Sequence, residues 1–394
     1  MLKGKHILVG ISGGIAAYKI PELIRQLKKS GAEVKVTTTK NALEFVTELT
    51  LRSVSGYPVY SDVFAAINSH STEHISLPDW ADAMIIAPAT ANVLGKMAHG
   101  IADDALTTTF AAMRKPVVIA PAMNDKMYAS EATQQAIALL SERPHVTMLD
   151  CAEGELACGV IGKGRMQEVP VLVEAVKGAL TDKTMAGKRV LITAGPTHER
   201  IDPVRYLSND STGKMGYALA AACQRRGAEV VLVSGPSVLD TPYGVRRVDV
   251  TSAAEMYEAA KREFSNCDMA ILCAAVADFT PKTCATEKIK KQAGQTEMVL
   301  ELETTTDIAA TLGAEKGKRV LVGFALETHD EERHALEKLQ KKHLDWIVLN
   351  SLQDAGAGFG GDTNQVTVYG QGKNYSLPLA SKEQIADEIL SLVI

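Results

Sequence analysis

The chain has 394 residues, of which 46% are hydrophobic and 23% charged, and its net charge is −5. These values are typical of a soluble globular protein with two domains, because single cores rarely grow past about 250 to 300 residues. No apolar run approaches the roughly 18 residues of a membrane helix, which excludes a membrane-spanning protein. A negative charge with only 5% aromatic residues disfavours a nucleic-acid partner.

The N-terminus and the cysteines indicate the compartment. The start "MLKGKHILVGISGG" has an apolar run of about four residues, too short for a signal peptide. The six cysteines lack the CxxC spacing of zinc or thioredoxin sites and are sparse for a disulfide scaffold. We therefore expect a cytoplasmic protein with reduced thiols.

The sequence pattern of the first half predicts a doubly wound α/β domain. A strand over residues 5–10 precedes the turn "ISGG", a helix to about residue 29 and a strand over "EVKVTTT". One apolar face of this helix is formed by Ile20, Leu23, Ile24 and Leu27. Pro21 within it predicts a kink or a late start. The runs "AMIIAPA" and "PVVIAPA" lack polar alternation, as in parallel strands buried on both faces.

The pattern then restarts, which predicts a second, Rossmann-like α/β domain. "GKRVLITAG" is again a strand, "KMGYALAAACQRRG" a helix and "AEVVLVSGP" a strand. Further strands are predicted at "DMAILCAAVADF", "RVLVGFALET" and "LDWIVLN", with a helix at "DEERHALEKLQKK". The polar segment 180–188 marks the seam. We expect domains over residues 1–181 and 188–394.

Two glycine-bearing turns are candidate anion sites. "GISGGIAAYK" is not a GxGxxG fingerprint, and "TTTK" stands where an acidic residue would hold a ribose, which suits phosphate better. From this motif alone, a plain strand-to-helix turn is supported equally well. "STGKMG" lacks the spacing of a P-loop, but with Asn209, Ser211 and Thr212 it could hold an anion at a helix N-terminus.

Three further features have a functional and a plain interpretation. Cys158 lies in the glycine-rich "GELACGVIGKGRM", with Lys163 and Arg165 close behind, so we expect an accessible, electropositive loop; an incidental cysteine is the alternative. His74, ahead of a strand, is catalytic or a surface residue.

The "EKIKK" run follows Asp278, which is predicted at the carboxyl end of a buried strand. A carboxylate with several lysines nearby fits a metal-bound polyphosphate. The alternative is that the lysines form a solvated edge.

Several long motifs in order carry a family resemblance. The first half contains "SGGIAAYK", "HISL", "APATAN", "GIADDALTTT", "PAMNDKMY" and "ACGVIGKGRM", and the second contains "ITAGPTHERIDPVRYLSNDSTGKMG", "CAAVADF", "EKIKK" and "VGFALET". The first half resembles the flavin-dependent cysteine decarboxylases. The whole chain resembles the bacterial bifunctional phosphopantothenoylcysteine decarboxylase/phosphopantothenate–cysteine ligases of coenzyme A biosynthesis.

For the first half, the resemblance implies an FMN-dependent decarboxylase. The thiol carbon of the substrate is oxidised to create an electron sink, CO₂ leaves, and a proton returns to the enethiolate. The resemblance assigns Asn124 to the leaving carboxylate, Cys158 to the returned proton and His74 to the active site. It places FMN against Ser12, Gly13, Gly14, Thr39, Ala89 and Thr90, and the substrate against Met123, Met127, Arg165 and Met166.

For the second half, the resemblance implies a ligase that uses CTP and Mg²⁺ to join cysteine to 4′-phosphopantothenate through an acyl-cytidylate. Asn209 matches the residue that contacts the acyl intermediate, and Asp278 also matches a metal ligand. The nucleotide residues would be Ala274, Ala275, Asp278, Lys288, Asp307, Ile308, Phe324, Lys338 and Lys342. "DAGAGFGGDTN" would form a mobile lid. The family also implies a homo-oligomer, with trimeric decarboxylase halves and dimeric ligase halves that together make a dodecamer.

Two other functions are weighed against this one. An NAD-dependent oxidoreductase is disfavoured because no acidic residue closes the second strand. The other is a flavin-binding regulatory protein with a degenerate ligase half. Intact Asn124, Cys158, Asn209, Asp278 and Lys288 argue against degeneration.

Overall fold

The computed structural model describes residues 2–64, 72–155, 159, 161–291, 296–327, 329–351 and 360–394. The chain divides into two compact units, Met1–Thr181 and Asp182–Ile394. The division falls within the polar segment 180–188 of the sequence. Each unit is an α/β domain with its own sheet. None of the described helices is long and apolar enough to cross a membrane.

Unit 1 is built on a six-stranded sheet in the order β3-β2-β1-β4-β5-β6, with parallel neighbours throughout. A separate antiparallel hairpin is formed by β7 and β8. The elements are β1 His6–Ile11, α1 Ile20–Lys29, β2 Glu33–Thr38, α2 Glu48–Ser55, β3 Val59–Tyr60, α3 Glu73–Trp80, β4 Ala83–Ala89, α4 Ala91–His99, α5 Ala105–Ala112, β5 Val117–Pro121, α6 Asp125–Ala129, α7 Glu131–Ser141, β6 Val146–Met148, β7 Ala152–Glu155, β8 Ile161–Arg165 and α8 Val169–Ala179.

The start of α1 shows how the local sequence determines where a helix of this unit begins. Pro21 lies in the first turn of the helix, where its missing N–H costs no hydrogen bond. A 3₁₀ turn over Ile15–Lys19 covers the preceding residues, so the predicted late start is confirmed. The predicted apolar face is fully buried, as are the strands β4 and β5. Burial on both faces explains why these two strands lack polar alternation.

Unit 2 is built on an eight-stranded sheet in the order β13-β12-β9-β14-β17-β18-β19-β20. The first six strands pair in parallel, whereas β19 pairs antiparallel with both β18 and β20. The elements are β9 Arg189–Ala194, β10 Glu199–Arg200, β11 Tyr206–Leu207, α9 Lys214–Arg225, β12 Glu229–Ser234, β13 Arg246–Asp249, α10 Ala253–Phe264, β14 Met269–Leu272, β15 Phe279–Pro281, β16 Leu302–Thr304, α11 Ile308–Ala314, β17 Val320–Glu327, α12 Glu331–Lys341, β18 Trp346–Ser351, β19 Thr363–Gly370, β20 Lys373–Ser381 and α13 Lys382–Val393.

Helices cover both faces of the second sheet. α9 and α13 pack into one buried cluster, and α10, α11 and α12 pack into the other. In each unit the strand order reverses beside the first strand, between β1 and β4 and between β9 and β14. Such a reversal opens a crevice at the carboxyl ends of the strands, where doubly wound domains bind ligands. The predicted fold class is confirmed, and it directs attention to these two crevices.

Three local predictions were wrong. The strand predicted over "DMAILCAAVADF" ends at Leu272, so Asp278 lies in the following loop rather than at a strand end. Thr193 and Thr197 explain this ending, because their hydroxyls accept the backbone N–H groups of Ala274 and Ala277 at 3.3 and 3.1 Å. The loops predicted around Met127 and Lys163 are instead partly regular, as α6 and β8.

Candidate functional sites

The crevice of unit 1 begins at Ser12, directly after β1. The buried Ser12 hydroxyl donates to the backbone carbonyl of Pro88 at 2.7 Å. The same oxygen accepts the backbone N–H of Thr90, which precedes α4, at 3.0 Å. Ser12 therefore joins the carboxyl ends of β1 and β4 and fixes the spacing of the crevice. Ala89, buried at the end of β4, lies beside this junction.

At the next two positions, Gly13 and Gly14, the surrounding atoms leave room for the backbone only. A Cβ atom at Gly13 would lie 2.5 Å from the Cβ of Asn41 and 2.9 Å from its backbone, which no larger residue tolerates. A Cβ atom at Gly14 would lie 3.3 Å from the Thr90 methyl group. A side chain at either position would fill the turn, so glycine keeps its backbone open to a ligand.

Three threonine hydroxyls at the end of β2 are buried without a hydrogen-bond partner among the described residues. They belong to Thr37, Thr38 and Thr39. A buried polar group left unpaired costs about 1–3 kcal/mol, so a bound acceptor would recover that free energy. Hydroxyl donors beside a glycine turn fit a phosphate group. This chemistry matches the cofactor phosphate predicted for Ser12, Gly13, Gly14 and Thr39.

The "PAMNDKMY" segment is fixed between a helix start and a hairpin. The side chain of Asn124 caps α6 by accepting the backbone N–H of Lys126 at 3.0 Å. The backbone N–H of Met123 donates to the carbonyl of Gly164 on β8 at 3.0 Å. A Cβ atom at Gly164 would lie 2.2 Å from the Met123 carbonyl oxygen, so this contact requires glycine. The hairpin thus holds Asn124 at a defined position.

The lysine and arginine on which the predicted electropositive loop of Cys158 depends are each paired with a carboxylate. Lys163 pairs with Asp150 at 3.3 Å, and Arg165 pairs with Glu168 at 2.9 Å. Both charges are therefore offset by carboxylates close in the fold. Cys158 itself lies outside the described residues. The other cysteines, at positions 151, 223, 267, 273 and 284, are free thiols, as expected.

The remaining residues predicted for unit 1 are spread over several elements. His74 is half-buried on α3, ahead of β4. Met127 is half-exposed on α6, whereas Met166 is buried directly after β8. The structure brings Ser12, Ala89 and Thr90 to one crevice. No described contact joins His74 or Met166 to that group, so their roles stay predictions.

Unit 2 has a cavity of about 610 Å³ at the carboxyl ends of β9, β14 and β17. Its lining includes every residue predicted for the ligase site except Lys288. These residues are Asn209, Ala274, Ala275, Asp278, Asp307, Ile308, Phe324, Lys338 and Lys342. Lys288 is exposed and does not line the cavity. Residues from five different parts of the chain thus meet at the predicted crevice.

Side chains hold the loop between β14 and β15 along one wall of this cavity. The amide of Asn209 donates to the carbonyls of Ala275 and Val276 at 3.0 and 3.3 Å. The hydroxyl of Thr305 donates to the carbonyl of Ala277 at 2.6 Å. This bonding fixes the backbone that carries Asp278. Among the described residues no cluster of three acidic, His or Cys side chains could hold a metal. A lone carboxylate fits Mg²⁺ bound mainly by phosphates.

Two of the lysines that line the cavity are each paired with a carboxylate. Lys338 donates to Glu327 at 2.6 Å, and Lys342 lies 3.0 Å from Asp307. Partial burial opposes ionisation of Asp307, but the N–H of Ala310 and the Lys342 ammonium outweigh it and lower its pKa. Both lysines are therefore oriented at the cavity edge by a carboxylate partner.

Two further lysines that line the cavity were not predicted. Lys214, the first residue of α9, pairs with Asp362 at 2.7 Å. Lys382, the first residue of α13, is mostly buried and donates to the carbonyl of Gly361 at 2.7 Å. Burial, and then the nearby charge of Lys214, lowers the pKa of Lys382. The "STGKMG" motif indicated the region of Lys214, whereas no local signal singled out Lys382.

Two asparagines of this cavity also escaped prediction. Asn350, at the end of β18, has a buried side-chain oxygen without a partner among the described residues. Asn364 is fully buried on β19. It is the last residue of the predicted mobile lid, "DAGAGFGGDTN", so that prediction is wrong at this residue, while residues 354–359 of the lid lie outside the described residues. The asparagines could not be found from sequence because each is a single polar residue in or beside a buried strand.

Comparisons with known proteins agree with the division into two units. Residues 1–181 match the Flavoprotein family, and residues 185–394 match the DNA/pantothenate metabolism flavoprotein C-terminal domain. The coenzyme A biosynthesis bifunctional protein CoaBC of Bacillus subtilis is 48% identical over 99% of this chain and 97% of its own length. The protein of that name from Vibrio cholerae is 46% identical over 100% and 98%. The crystal structure of the C-terminal domain of such a protein is 44% identical, with a TM-score of 0.46, and covers 54% of this chain and 96% of its own.

Proposed function

The chain belongs to the family of bifunctional coenzyme A biosynthesis proteins, and we propose that its two units catalyse consecutive reactions. Unit 2 joins cysteine to 4′-phosphopantothenate with CTP. Unit 1 decarboxylates the product, 4′-phospho-N-pantothenoylcysteine, to 4′-phosphopantetheine. The observation that carries this proposal is the unit 2 cavity, which gathers the predicted nucleotide residues from distant parts of the chain.

The ligase reaction needs an activated carboxylate. The carboxylate of 4′-phosphopantothenate attacks the α-phosphate of CTP, and pyrophosphate leaves. The amine of cysteine then attacks the acyl-cytidylate, and CMP leaves as the amide bond forms. Four lysines line the cavity and could stabilise negative charge on the phosphates: Lys214, Lys338, Lys342 and Lys382. Asp278 would hold Mg²⁺, which neutralises phosphate charge when bound.

The decarboxylase reaction would use FMN. The glycine turn at Gly13 and Gly14 and the unpaired hydroxyl of Thr39 fit its phosphate. Bound FMN supplies the two-electron oxidation and reduction that amino-acid side chains cannot. Asn124, held at the start of α6, would orient the leaving carboxylate. Cys158 would return the proton to the product. The Flavoprotein match favours this cofactor over the nicotinamide alternative.

We also propose that the protein is a homo-oligomer, with trimeric decarboxylase halves and dimeric ligase halves. Large apolar side chains exposed on the separate units support assembly. In unit 1 they include Ile15, Tyr18, Phe45 and Leu49, and in unit 2 they include Val204, Tyr206, Phe279 and Val299. Burial of such residues between copies removes apolar surface from water. Sedimentation velocity of the intact protein at micromolar concentration tests this, and a monomer there would contradict it.

Separate assays test the two activities. The purified protein should be yellow, with flavin absorbance near 450 nm, and should convert synthetic 4′-phospho-N-pantothenoylcysteine to CO₂ and 4′-phosphopantetheine. With 4′-phosphopantothenate, cysteine, CTP and Mg²⁺ it should form one CMP for each amide bond. A flavin-binding regulatory protein would be yellow but would give neither product.

A further inference from the structure

One fully buried carboxylate of unit 2 is not part of the lining of the ligase cavity. Asp202 occupies the turn between β10 and β11 and has no exposed surface. Its Oδ1 accepts the backbone N–H groups of Val204 and Arg205, each at 2.8 Å. Its Oδ2 accepts from Arg205 Nε at 3.0 Å and Nη2 at 2.6 Å. The same Oδ2 accepts the backbone N–H of Ile289 at 3.1 Å.

These bonds favour a permanently charged Asp202. Burial alone opposes ionisation, but the guanidinium of Arg205 and the three backbone N–H groups outweigh it and hold the pKa of Asp202 well below its usual range. A charged acceptor strengthens each hydrogen bond that it receives. The turn is therefore a fixed point to which another segment can attach.

The attached segment is the basic run "EKIKK". Arg205 Nη2 also donates to the carbonyl of Ile289 at 2.7 Å, so both backbone groups of Ile289 are bound by the Asp202–Arg205 pair. Four residues earlier, the N–H of Ala285 donates to the carbonyl of Ile201 at 3.0 Å. Lys288 and Lys290, on either side of Ile289, are exposed. The backbone is held while the lysine side chains stay accessible.

We propose that Asp202 is a positioning residue of the ligase, which acts by holding the backbone of Ile289 so that Lys288 is presented to the triphosphate of CTP. This inference rests on the proposed function. It explains why a lysine outside the cavity lining can take part in the reaction, because a fixed backbone removes much of the entropic cost of orienting a long side chain. It also gives a role to the charged carboxylate of Asp202, which is outside the cavity lining and reaches Lys288 only through the backbone of Ile289.

The test is a double-mutant cycle on the intact protein with Asp202→Asn and Lys288→Gln. Loss of the charged acceptor should raise the KM for CTP about tenfold, with a smaller change in kcat, which is the expected size for a charge-assisted hydrogen bond. Lys288→Gln should raise it at least as much. If Asp202 acts through Lys288, the double variant should be no worse than Lys288→Gln alone.

The matched control is Asp249→Asn, which breaks another Asp–Arg pair of unit 2, with Arg247 at 2.6 Å, at the end of β13. It should leave the KM for CTP unchanged. Decarboxylation of added 4′-phospho-N-pantothenoylcysteine should stay at the parental rate in all variants. If Asp202→Asn does not fold, Arg205→Lys replaces it, because lysine keeps a charge near Asp202 but cannot reproduce the guanidinium bonds to both Asp202 and Ile289.

The outcomes separate this inference from the proposed function. The positioning role is supported if both single variants raise the KM for CTP and the double variant raises it no further than Lys288→Gln alone. A lower melting temperature without a change in KM, or effects that multiply in the double variant, would show that Asp202 is only structural. Unchanged kinetics in Lys288→Gln would remove Lys288 from the ligase and overturn the positioning role with it, while the CTP-dependent reaction itself would still be observed. Absence of any CTP-dependent product in the parental protein would instead refute the proposed function.

Discussion

The side-chain amide of Asn209 donates to the backbone carbonyl of Ala275 across the reversal point of the unit 2 sheet, at 3.0 Å. Asn209 follows β11 and Ala275 follows β14, so the bond ties together two loops that no local sequence pattern connects. A second bond from the same amide reaches the carbonyl of Val276. Both acceptors belong to the loop that carries Asp278. Asn209 therefore shapes the cavity wall, in addition to the substrate contact that we propose for it.

Replacement of Asn209 by aspartate should inactivate the ligase. The carboxylate would lose the donor and face two carbonyl oxygens, and it would also repel the acyl-cytidylate. We expect a loss of at least about 100-fold in kcat/KM for amide formation, from hydrogen bonds worth roughly 1.5–3 kcal/mol near charged groups. Decarboxylation should be unchanged. The matched control, Asn266→Asp on the exposed end of α10, should affect neither reaction. Parental ligation by Asn209→Asp would show that the assignment is wrong.

Replacement of Thr39 by valine should separate cofactor affinity from folding stability. Its buried hydroxyl has no partner among the described residues, so its loss should leave the melting temperature of the cofactor-free protein unchanged or slightly raised. The dissociation constant for FMN, measured by fluorescence titration, should rise by about 10-fold or more, since a hydroxyl bond to a charged phosphate is lost.

Thr109→Val provides the opposite control in the same unit. The buried hydroxyl of Thr109 donates to the carbonyl of Ala105 at 2.6 Å within α5. Its removal should lower the melting temperature of the cofactor-free protein and leave FMN affinity unchanged. If Thr39→Val behaves like Thr109→Val, the Thr39 hydroxyl serves the fold and not the cofactor.

Replacement of Cys158 by serine should divide the decarboxylation into two stages. A cysteine thiol has a pKa of about 8.5 in model peptides and can supply a proton, whereas a serine hydroxyl is far less acidic. We expect a yellow protein that releases CO₂ for about one turnover and then accumulates an oxidised enethiol, with the flavin absorbance bleached under anaerobic conditions. Asn124 variants should fail before CO₂ is lost.

The control for this experiment is Cys284→Ser, which changes an exposed thiol of unit 2. It should retain full decarboxylase activity. Saturated 4′-phosphopantetheine formed by Cys158→Ser at the parental rate would identify Cys158 as an incidental thiol and require another proton donor.

Each unit should fold and act alone. A fragment over residues 1–181 should be yellow and decarboxylate added substrate, and a fragment over residues 182–394 should form the amide bond with CTP. The reason is that each unit has its own sheet and its own buried clusters. Absorbance spectra and product assays on the two fragments provide the measurement. A colourless, insoluble N-terminal fragment would argue against this boundary.

Local patterns were enough to predict the architecture. The periodicity around Leu23 and the position of Pro21 gave the face and the start of α1, and apolar runs gave the central strands. The alternation of strands and helices, repeated in both halves of the chain, is typical of doubly wound sheets, in which the strand order reverses at one point. These features depend on residues close in sequence, where backbone geometry and burial dominate.

The features that were not predicted depend on contacts between residues distant in sequence. The end of β14 is set by hydroxyls of Thr193 and Thr197, which precede it by two elements or more. Lys382 reaches the cavity from the last helix, and Asp202 binds Ile289 through one backbone group. Lys382 lies in no quoted motif, and the motif that contains Thr193, Thr197 and Asp202 assigns them no role, because these roles are created by the fold. The family resemblance supplied residue identities, and the structure supplied their arrangement.

The most direct test of the account follows the carboxyl carbon of cysteine through both reactions. The intact protein is incubated with cysteine labelled at that carbon, together with 4′-phosphopantothenate, CTP and Mg²⁺, and labelled CO₂ and 4′-phosphopantetheine are measured. The account predicts labelled CO₂ in equal amount to CMP and to 4′-phosphopantetheine, and none when either CTP or 4′-phosphopantothenate is omitted. Labelled CO₂ without 4′-phosphopantothenate, or CMP formation without CO₂, would contradict it.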